Sequence, residues 1–346
     1  MACFARIYQV IVHREYKKIA FINQGAVFFL FLSRYNDDMI NHYASKGLVW
    51  LDASNPTTDE IAGLVKRYSL HPLVGEELKS SSSLAKIDFY EDYILVVLTL
   101  PARIRNDSNT YEIVDREIDF VIGKNFLITS RFETIEPLEY FAKVFEANSI
   151  LGKEEKMDHG GHLFYHMVKR IYSSMCEDLE NIKDSLISAE TRIFAGDERK
   201  MVEVLSNLSR ELIDFKQTAR VHQDIWEDMV SHDELSIFGK DFILYVRDIR
   251  DEFNRIRELI TNARELLTDL RETNDSLLNT RQNQIIKVLT LVSFVFQPLT
   301  FIAALFTIPA IGVPLVTHGL GWYGIIIIMV LISVLTWRYF KKQKWV

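Results

Sequence analysis

Charge is missing from one long stretch of this chain. Asp, Glu, Lys and Arg make up 25% of the 346 residues, yet none of them occurs between Val288 and Trp337. A soluble protein of this composition would place charges in so long a segment, whereas a membrane-spanning segment excludes them. The stretch is long enough to cross a hydrocarbon layer of about 30 Å twice. The sequence therefore predicts an integral membrane protein.

Several functional signatures are also missing. The chain has only two cysteines, Cys3 and Cys176, which excludes a disulfide framework and suits a reducing compartment. It has no P-loop and no glycine-rich dinucleotide fingerprint, so no nucleotide cofactor is expected. No nucleophile occurs in a recognisable catalytic pattern, which argues against an enzyme. The net charge of −7 and the lack of a basic stripe argue against nucleic-acid binding.

The charge-free stretch divides into two apolar segments. Residues 285–308 are predicted as a first transmembrane helix and residues 322–340 as a second, with a periplasmic or extracellular loop at residues 309–321. The loop contains the helix breakers Pro309, Gly312, Pro314, Gly319 and Gly321. Lys287 lies at the start of the first span, Arg338 lies at the end of the second, and the basic tail, residues 341–346, follows it. The positive-inside rule then places both termini in the cytoplasm. The expected location is a bacterial or archaeal inner membrane.

The region before the spans has two predicted parts. Residues 47–135 alternate β-rich runs with helical stretches such as Thr58–Tyr68, which predicts an α/β domain. The turn sequence Asp107-Ser108-Asn109 indicates a hairpin. Residues 136–284 repeat apolar residues at three- and four-residue spacing and predict long helices, including His162–Ala195 and Glu198–Met229.

The last of these helices is expected to enter the membrane. No glycine or proline interrupts the chain from Asp241 to Pro298. An uninterrupted helix from Asp241 to Phe306 would be on the order of 100 Å long at 1.5 Å per residue. Such a rod would couple the soluble region to the membrane.

Residues 1–46 are treated as an N-terminal extension of uncertain status. Their apolar run, Ile19–Leu32, follows two lysines and superficially resembles a signal peptide, but it is too short for an ordinary span. It is either a structural strand or part of an upstream extension, with Met39 as an alternative start. A cleaved signal would place the soluble domain outside the cell, against the charge bias of the C-terminus.

Polar and small residues recur at heptad spacing along the first predicted span. The steps between them are 3, 4, 3, 4, 3, 4 and 3. This spacing forms the seam that parallel helices turn toward a common axis. The seam consists of Asn283, Ile286, Thr290, Ser293, Gln297, Thr300, Ala304 and Thr307.

The seam has two interpretations. Small and hydroxylated residues also promote tight helix packing in membranes. However, six polar positions on one repeat favour a face that meets water, because lipid cannot satisfy polar groups. One chain with two spans cannot enclose a conduit, so we predict a pore formed by a homo-oligomeric ring.

Several segments resemble the CorA-type magnesium transporters in the same order. Asn283-Gln-Ile-Ile-Lys-Val-Leu-Thr290, followed by Gln297-Pro-Leu-Thr-Phe-Ile-Ala303, resembles the first transmembrane helix of that family. The resemblance extends from about Gly47 to the C-terminus. Its other motifs are Trp50-Leu-Asp-Ala-Ser-Asn-Pro-Thr57, Leu70-His-Pro-Leu73, Lys86-Ile-Asp-Phe-Tyr-Glu-Asp-Tyr93, Tyr245-Val-Arg-Asp-Ile-Arg-Asp251 and the tail Tyr339-Phe-Lys-Lys-Gln-Lys-Trp345.

The resemblance implies an architecture of class α+β. It implies a homopentamer with an α/β cytoplasmic domain, a funnel of long helices, and a pore formed by the first of two C-terminal spans. Asn283 would stand at the pore entrance, Thr300 would form a ring, and Ile286 and Gln297 would form constrictions. Gln297 departs from the usual apolar residue at its position.

The resemblance also implies metal sites and partners. The carboxylates Glu91, Asp92 and Asp248 match positions that bind regulatory Mg²⁺ between subunits, although surface acids in general are more often only solvated. Mg²⁺ would be both regulator and cargo, and the partners would be identical subunits, membrane lipid and metal cations. The expected function is a divalent cation transporter or channel, gated by Mg²⁺ at the cytoplasmic domain.

One departure leaves the cargo open. The family ends its first span with Gly-Met-Asn, whereas this chain has Thr307-Ile308-Pro309, and the following loop contains no acids. Transport of Zn²⁺, Co²⁺ or Ni²⁺, a poorly selective pore, or a sensor or scaffold that does not transport are therefore alternatives. Separately, His162 and His166 have the spacing of two zinc ligands on one helical face, without an obvious third ligand.

Overall fold

The computed structural model describes residues 11–13, 16–23, 26–31, 40–45, 47–82, 85–106, 111–151, 157–307 and 321–342. By its internal contacts the chain divides into two units. One unit comprises Met1–Glu180 with Glu211–Ile260, and the other comprises Asn181–Arg210 with Thr261–Val346. Each unit is described separately.

The strands of the first unit form two sheets. In the smaller sheet, β1 (Ile11–His13), β2 (Tyr16–Asn23) and β3 (Ala26–Phe31) pair antiparallel in sequence order. The apolar run Ile19–Leu32 thus falls largely on two paired strands. The larger sheet has the order β4-β5-β9-β8-β7-β6. Its strands are β4 (Ile40–Ser45), β5 (Leu48–Ser54), β6 (Lys86–Phe89), β7 (Tyr93–Arg105), β8 (Tyr111–Gly123) and β9 (Phe126–Arg131).

The larger sheet is mixed. Only β5 and β9 pair parallel, and the other neighbours are antiparallel. Antiparallel β7 and β8 pair from Tyr93↔Gly123 to Arg105↔Tyr111, which confirms the predicted hairpin. The turn residues Asp107, Ser108 and Asn109 lie outside the described residues. The paired halves of β7 and β8, Tyr93–Leu98 and Ile118–Gly123, are buried on both faces, which explains why they are mainly apolar.

Two short helices cover one face of the larger sheet. Helix α1 (Thr58–Tyr68) begins as predicted, because Thr57 caps it and Glu60 bonds back to the Thr57 backbone. Helix α2 (Pro72–Glu77) follows, with His71 as its N-cap. Together with the sheet they enclose an apolar core of buried residues: Leu51, Ile61, Leu64, Leu70, Val74, Leu78, Tyr93, Leu95, Val97, Val121 and Ile128.

Long helices follow the sheet in sequence. They are α3 (Glu136–Leu151), α4 (Gly160–Phe194), α5 (Glu198–Arg220) and α6 (His222–Ser231), followed by a short 3-10 helix (Asp233–Phe238). The stretch Glu198–Met229 is helical as predicted, but the structure divides it into α5 and α6 at Val221, whose dihedral angles remain helical (φ −70°, ψ −23°). Immediately after Val221, the buried His222 ring donates from Nε2 to the Thr99 carbonyl on β7, 2.8 Å away. This bond joins the first residue of α6 to the sheet.

Two helices contain the apolar C-terminal segments. Helix α7 (Phe242–Thr307) runs without interruption through Pro298, as predicted, and α8 is Gly321–Lys342. Both are long and apolar enough to cross a membrane. Within the second unit, which includes Thr261–Val346, the Phe294 ring of α7 packs on Phe340 of α8 with ring centroids 5.6 Å apart. The predicted loop, residues 309–321, lies almost wholly outside the described residues.

Candidate ion pathway and regulatory carboxylates

The predicted seam lies entirely on α7. Its members are solvent-exposed in the single chain, apart from Thr290, which is half-buried. Exposure alone does not distinguish the seam, because apolar neighbours such as Leu289 and Phe301 are equally exposed. Polarity does distinguish it, since lipid can cover Leu289 and Phe301 but cannot satisfy amides and hydroxyls. The seam is therefore the face of α7 that requires protein or water beside it.

The seam hydroxyls all donate their protons into the helix backbone. Thr290 donates to the Ile286 carbonyl at 2.8 Å, Ser293 to Leu289 at 3.0 Å, Thr300 to Phe296 at 2.9 Å and Thr307 to Ala303 at 2.8 Å. With the proton used internally, each hydroxyl oxygen offers only lone pairs outward. The face therefore presents acceptors, which suit a cation or the water bound to it.

The same bonding occurs on α8, where Ser333 donates to Met329 at 2.9 Å and Thr336 to Ile332 at 2.6 Å. Back-bonding by itself is thus a general way to accommodate hydroxyls in an apolar helix. What differs on α7 is the repeat, which aligns the hydroxyls with Asn283 and Gln297 on one face.

Pro298 adds a further polar group to α7. Proline has no N–H, so it cannot bond the carbonyl four residues earlier, which belongs to Phe294. Gln297, directly before the proline, contributes an amide at the same level of the helix. Backbone carbonyls without a helical partner are tolerated in membranes where protein or water satisfies them. The middle of this span therefore has one backbone carbonyl that lacks its usual helical N–H partner.

Of the three residues that replace Gly-Met-Asn at the end of the first span, the structure describes one. Thr307 is the last residue of α7, and its hydroxyl bonds the Ala303 and Ala304 carbonyls. Ile308 and Pro309 lie outside the described residues. The three positions offer one hydroxyl and no charge, so they cannot attract a cation as a carboxylate would.

The predicted regulatory carboxylates occupy two places in the first unit. Glu91 and Asp92 are exposed in the turn between β6 and β7, and Asp248 is exposed on α7. Within the described residues, no hydrogen bond or ion pair joins Asp248 to either of the other two. The described parts of the chain also contain no group of three or more His, Cys, Asp or Glu arranged to hold a metal ion. One chain alone does not assemble the predicted site.

Asp248 instead has two partners on α4 of the same chain. The Lys169 ammonium lies 2.8 Å from its Oδ2, and the Tyr165 hydroxyl donates to the same oxygen at 2.7 Å. The Lys169 bond, followed by the Tyr165 bond, lowers the pKa of the Asp248 carboxyl. The reciprocal bond to Asp248 raises the pKa of Lys169, so both groups are charged at neutral pH. Sequence reasoning missed Lys169, although its four-residue spacing from Tyr165 was visible.

The histidines do not support a zinc site. His162 stacks on His159 with ring centroids 3.9 Å apart and lies 4.7 Å from the Tyr245 ring. The His166 ring contacts Tyr165 at 5.0 Å. Burial, followed by the neighbouring His162, lowers the pKa of His159 to about 4. Over the part of the chain that the structure describes, these rings form an aromatic cluster and gain no third metal ligand.

Comparison with known proteins identifies the family. The profile of the CorA-like Mg²⁺ transporter protein family matches residues 45–342. This chain belongs to that family. The cobalt/magnesium transport protein CorA of Thermotoga maritima is 24% identical over 307 residues, which cover 86% of each chain. It follows that the chain is a membrane protein of a transporter family.

Solved structures of other proteins share the fold. The complete structure of the CorA magnesium transporter from Methanocaldococcus jannaschii has a TM-score of 0.74 at 21% identity, covering 91% of this chain and 95% of that one. The ZntB cytoplasmic domain from Vibrio parahaemolyticus has a TM-score of 0.53 at 13% identity, covering 69% and 90%. The predicted fold class is confirmed in its mixed sheet, long helices and two apolar C-terminal helices.

Proposed function

We propose that this CorA family member conducts divalent cations, with Mg²⁺ as the first candidate, through a pore built from several copies of α7. The polar seam carries this proposal, because it presents acceptor oxygens along a helix that must cross lipid. One chain cannot enclose a conduit, so the seam requires a ring of copies, and the family resemblance suggests five. Both termini would lie in the cytoplasm.

The chemistry of the seam suits a hydrated ion. Mg²⁺ gives up its water reluctantly and keeps several water molecules when proteins bind it. Hydroxyl and amide oxygens at Thr290, Ser293, Gln297 and Thr300 would accept hydrogen bonds from that water. Weak contacts repeated along a pore allow an ion to enter and also to leave.

The neutral residues at the end of α7 favour a second candidate cargo. Thr307-Ile308-Pro309 supplies one hydroxyl and no amide side chain, so it would discriminate poorly between hydrated divalent ions. Co²⁺, Zn²⁺ and Ni²⁺ are therefore the alternatives to Mg²⁺. A relative carries cobalt as well as magnesium in its name.

Regulation would involve Glu91, Asp92 and Asp248. These exposed carboxylates fit a hard cation by their chemistry, because Mg²⁺ prefers oxygen ligands. Because the described residues of one chain form no group of three such ligands, a neighbouring subunit would have to complete the site. A cation there would offset the repulsion between carboxylates of adjacent subunits and hold them together. In this chain it would also have to compete with Lys169 for Asp248.

The decisive experiment is flux in proteoliposomes. Mg²⁺, Co²⁺, Zn²⁺ and Ni²⁺ are tested with the wild type, Thr300→Val and Thr336→Val. Both threonines bond backward into their own helices, but Thr300 lies on the seam and Thr336 lies on α8. Thr300→Val should slow flux at least about fivefold, which corresponds to one lost oxygen contact of about 1 kcal/mol.

Thr336→Val should leave the rate unchanged. Equal effects of the two substitutions would show that the seam is not the conduit. No flux of any of the four ions by an intact oligomer would leave a sensor or scaffold function in place of transport. The order of the four wild-type rates identifies the cargo.

A further inference from the structure

The turn between α4 and α5, residues 191–200, is tied to the helix that enters the membrane. Arg281 of α7 donates from its guanidinium to the Gly196 carbonyl at 3.1 Å and forms a 2.8 Å ion pair with Glu198. The Glu198 side chain is only 4% exposed, so the pair is sheltered on one side. All of these residues belong to the same unit.

The backbone at Gly196 makes this contact possible. Its φ of +103° is a conformation that favours glycine, and a Cβ there would lie 2.9 Å from the Arg281 guanidinium. Farther along α5, seven residues after Glu198, the Leu205 carbonyl accepts a hydrogen bond from Arg271 of α7 at 3.4 Å. The two contacts show that α5 runs antiparallel to this part of α7. The α4–α5 turn therefore lies closer to Arg281 than to Arg271. The turn is therefore fixed at the level of Arg281.

That level lies beside the membrane surface. Arg281 precedes the first residue of the charge-free stretch, Val288, by seven residues, which is about 10 Å along the helix. The headgroup layer occupies about 5–8 Å on each side of the hydrocarbon core. The turn therefore lies where lipid headgroups meet water.

The exposed chemistry of the turn suits this position. Phe194, the last residue of α4, is 67% exposed. Apart from the Glu198–Arg281 pair, the charged residues from 191 to 200 are Arg192, Arg199, Lys200 and Asp197, which gives a net charge of +2. Asp197 pairs with Arg192 at 3.3 Å and Lys200 at 3.5 Å, while Arg199 is exposed. An exposed aromatic ring among cations matches the chemistry of an anionic lipid interface.

We propose that the α4–α5 turn docks on the membrane surface, with Phe194 at the headgroup boundary and Arg192, Arg199 and Lys200 contacting anionic lipid. The contact would fix the long α4–α5 hairpin relative to the bilayer. The proposal depends only on insertion of α7 in the membrane, so it stands whether or not the chain transports ions.

Site-directed spin labelling tests the docking. Phe194→Cys and the matched control Ile187→Cys are prepared with Cys3 and Cys176 replaced by serine, and are labelled in nanodiscs. Ile187 is also exposed and lies on the same face of α4, two helical turns before Phe194. The ratio of oxygen to water-soluble nickel accessibility should be higher at position 194 than at 187, and should rise when phosphatidylglycerol replaces phosphatidylcholine.

Three outcomes would overturn the proposal. One is equal accessibility ratios at the two positions. Another is a label at 194 that is shielded from both oxygen and nickel, which would mean that a neighbouring subunit covers the ring. The third is an unchanged response to phosphatidylglycerol after Arg192, Arg199 and Lys200 are all replaced by glutamine.

Hydrogen exchange provides a second readout that needs no substitution. In the unmodified chain, amides of the turn should exchange more slowly in nanodiscs containing phosphatidylglycerol than in phosphatidylcholine alone. Amides around Leu205, farther from the surface, serve as the internal control. Equal exchange of the turn in both lipids would contradict the docking independently of the labelled variants.

Discussion

Lys169 places its ammonium 2.8 Å from Asp248, a carboxylate that the CorA resemblance assigns to a regulatory cation. An ammonium and a metal ion satisfy the same carboxylate, so the two compete for it. The Tyr165 hydroxyl strengthens the arrangement, because it donates to Asp248 and accepts from Lys169 at 3.0 Å. The Lys169 ammonium therefore occupies the place beside Asp248 where the resemblance implies a bound metal ion.

Replacing Lys169 by methionine should make the protein respond to less Mg²⁺. Both side chains of the pair are about half exposed, and such a pair is worth about 0–1 kcal/mol. The Mg²⁺ concentration that gives half-maximal protection from protease should therefore fall, by no more than about fivefold. Lys169→Arg keeps the charge and should behave as the wild type. If Lys169→Met leaves the half-maximal Mg²⁺ concentration unchanged, Asp248 does not take part in binding the regulatory Mg²⁺.

Pro298→Ala should both stabilise α7 and slow cation flux through the pore. Alanine restores the N–H that can bond the Phe294 carbonyl, and proline inside a helix costs about 3 kcal/mol. We expect a higher unfolding temperature together with slower cation flux, because a carbonyl is withdrawn from the middle of the span. Leu299→Ala, at the next position, is the control. A rise in both stability and flux would show that this carbonyl does not serve the ion.

The fold could be predicted from sequence where local signals were sufficient. Helix α1 was placed correctly because the Thr57 and Glu60 capping box fixes its first turn. Helix α7 was placed because no breaker precedes Pro298 and apolar periodicity continues into the span. The α5–α6 boundary could not be predicted, because the apolar periodicity continues from Glu198 to Met229 and Val221, the dividing residue, keeps helical dihedral angles.

The candidate site was predictable only in part. The seam follows from helix periodicity, which is a local property. The Asp248 environment follows from how α4 packs on α7, and spacing within one helix does not reveal which residue of a distant helix it meets. The partners Tyr165 and Lys169 were therefore not anticipated.

Asp119 is a buried acid whose removal should stabilise the protein at neutral pH. It is 1% exposed on β8, and its Oδ1 has no hydrogen-bond partner among the described residues. Burial, followed by the charges of Glu117 and Glu77, raises the pKa of Asp119 well above its usual value. A raised folded-state pKa means that stability is lost as the pH rises above the unfolded pKa of about 4.

Asp119→Asn should therefore raise the free energy of unfolding at pH 7 by about 1–3 kcal/mol. The advantage should shrink as the pH falls to 4 and below, because the wild-type carboxyl is protonated in both states only below the unfolded pKa of about 4. Denaturant unfolding of the full chain at several pH values measures this. The exposed Asp228→Asn is the control and should change little. A destabilised Asp119→Asn at pH 7 would indicate that the ionised carboxylate has a favourable partner.

His222 should make the soluble part of the chain acid-sensitive. The ring is fully buried and both nitrogens are used: Nε2 donates to the Thr99 carbonyl at 2.8 Å, and Nδ1 accepts from the Tyr172 hydroxyl at 2.9 Å. Trp226 donates to the same hydroxyl at 2.7 Å. Since the Thr99 carbonyl can only accept, the proton resides on Nε2, and no site remains for a second proton without breaking the Tyr172 bond.

Burial lowers the pKa of His222 to about 4. Because the folded-state pKa lies below the unfolded value of about 6.5, the histidine's contribution to stability is complete above pH 6.5 and is lost as the pH falls toward 4. The loss should reach roughly 3 kcal/mol. His222→Gln keeps a donor and an acceptor without titrating, so the pH dependence of its unfolding free energy should be shallower than that of the wild type between pH 6.5 and 4. Parallel curves for the two proteins would mean that His222 takes up a proton equally well when folded, which this hydrogen-bond arrangement does not allow.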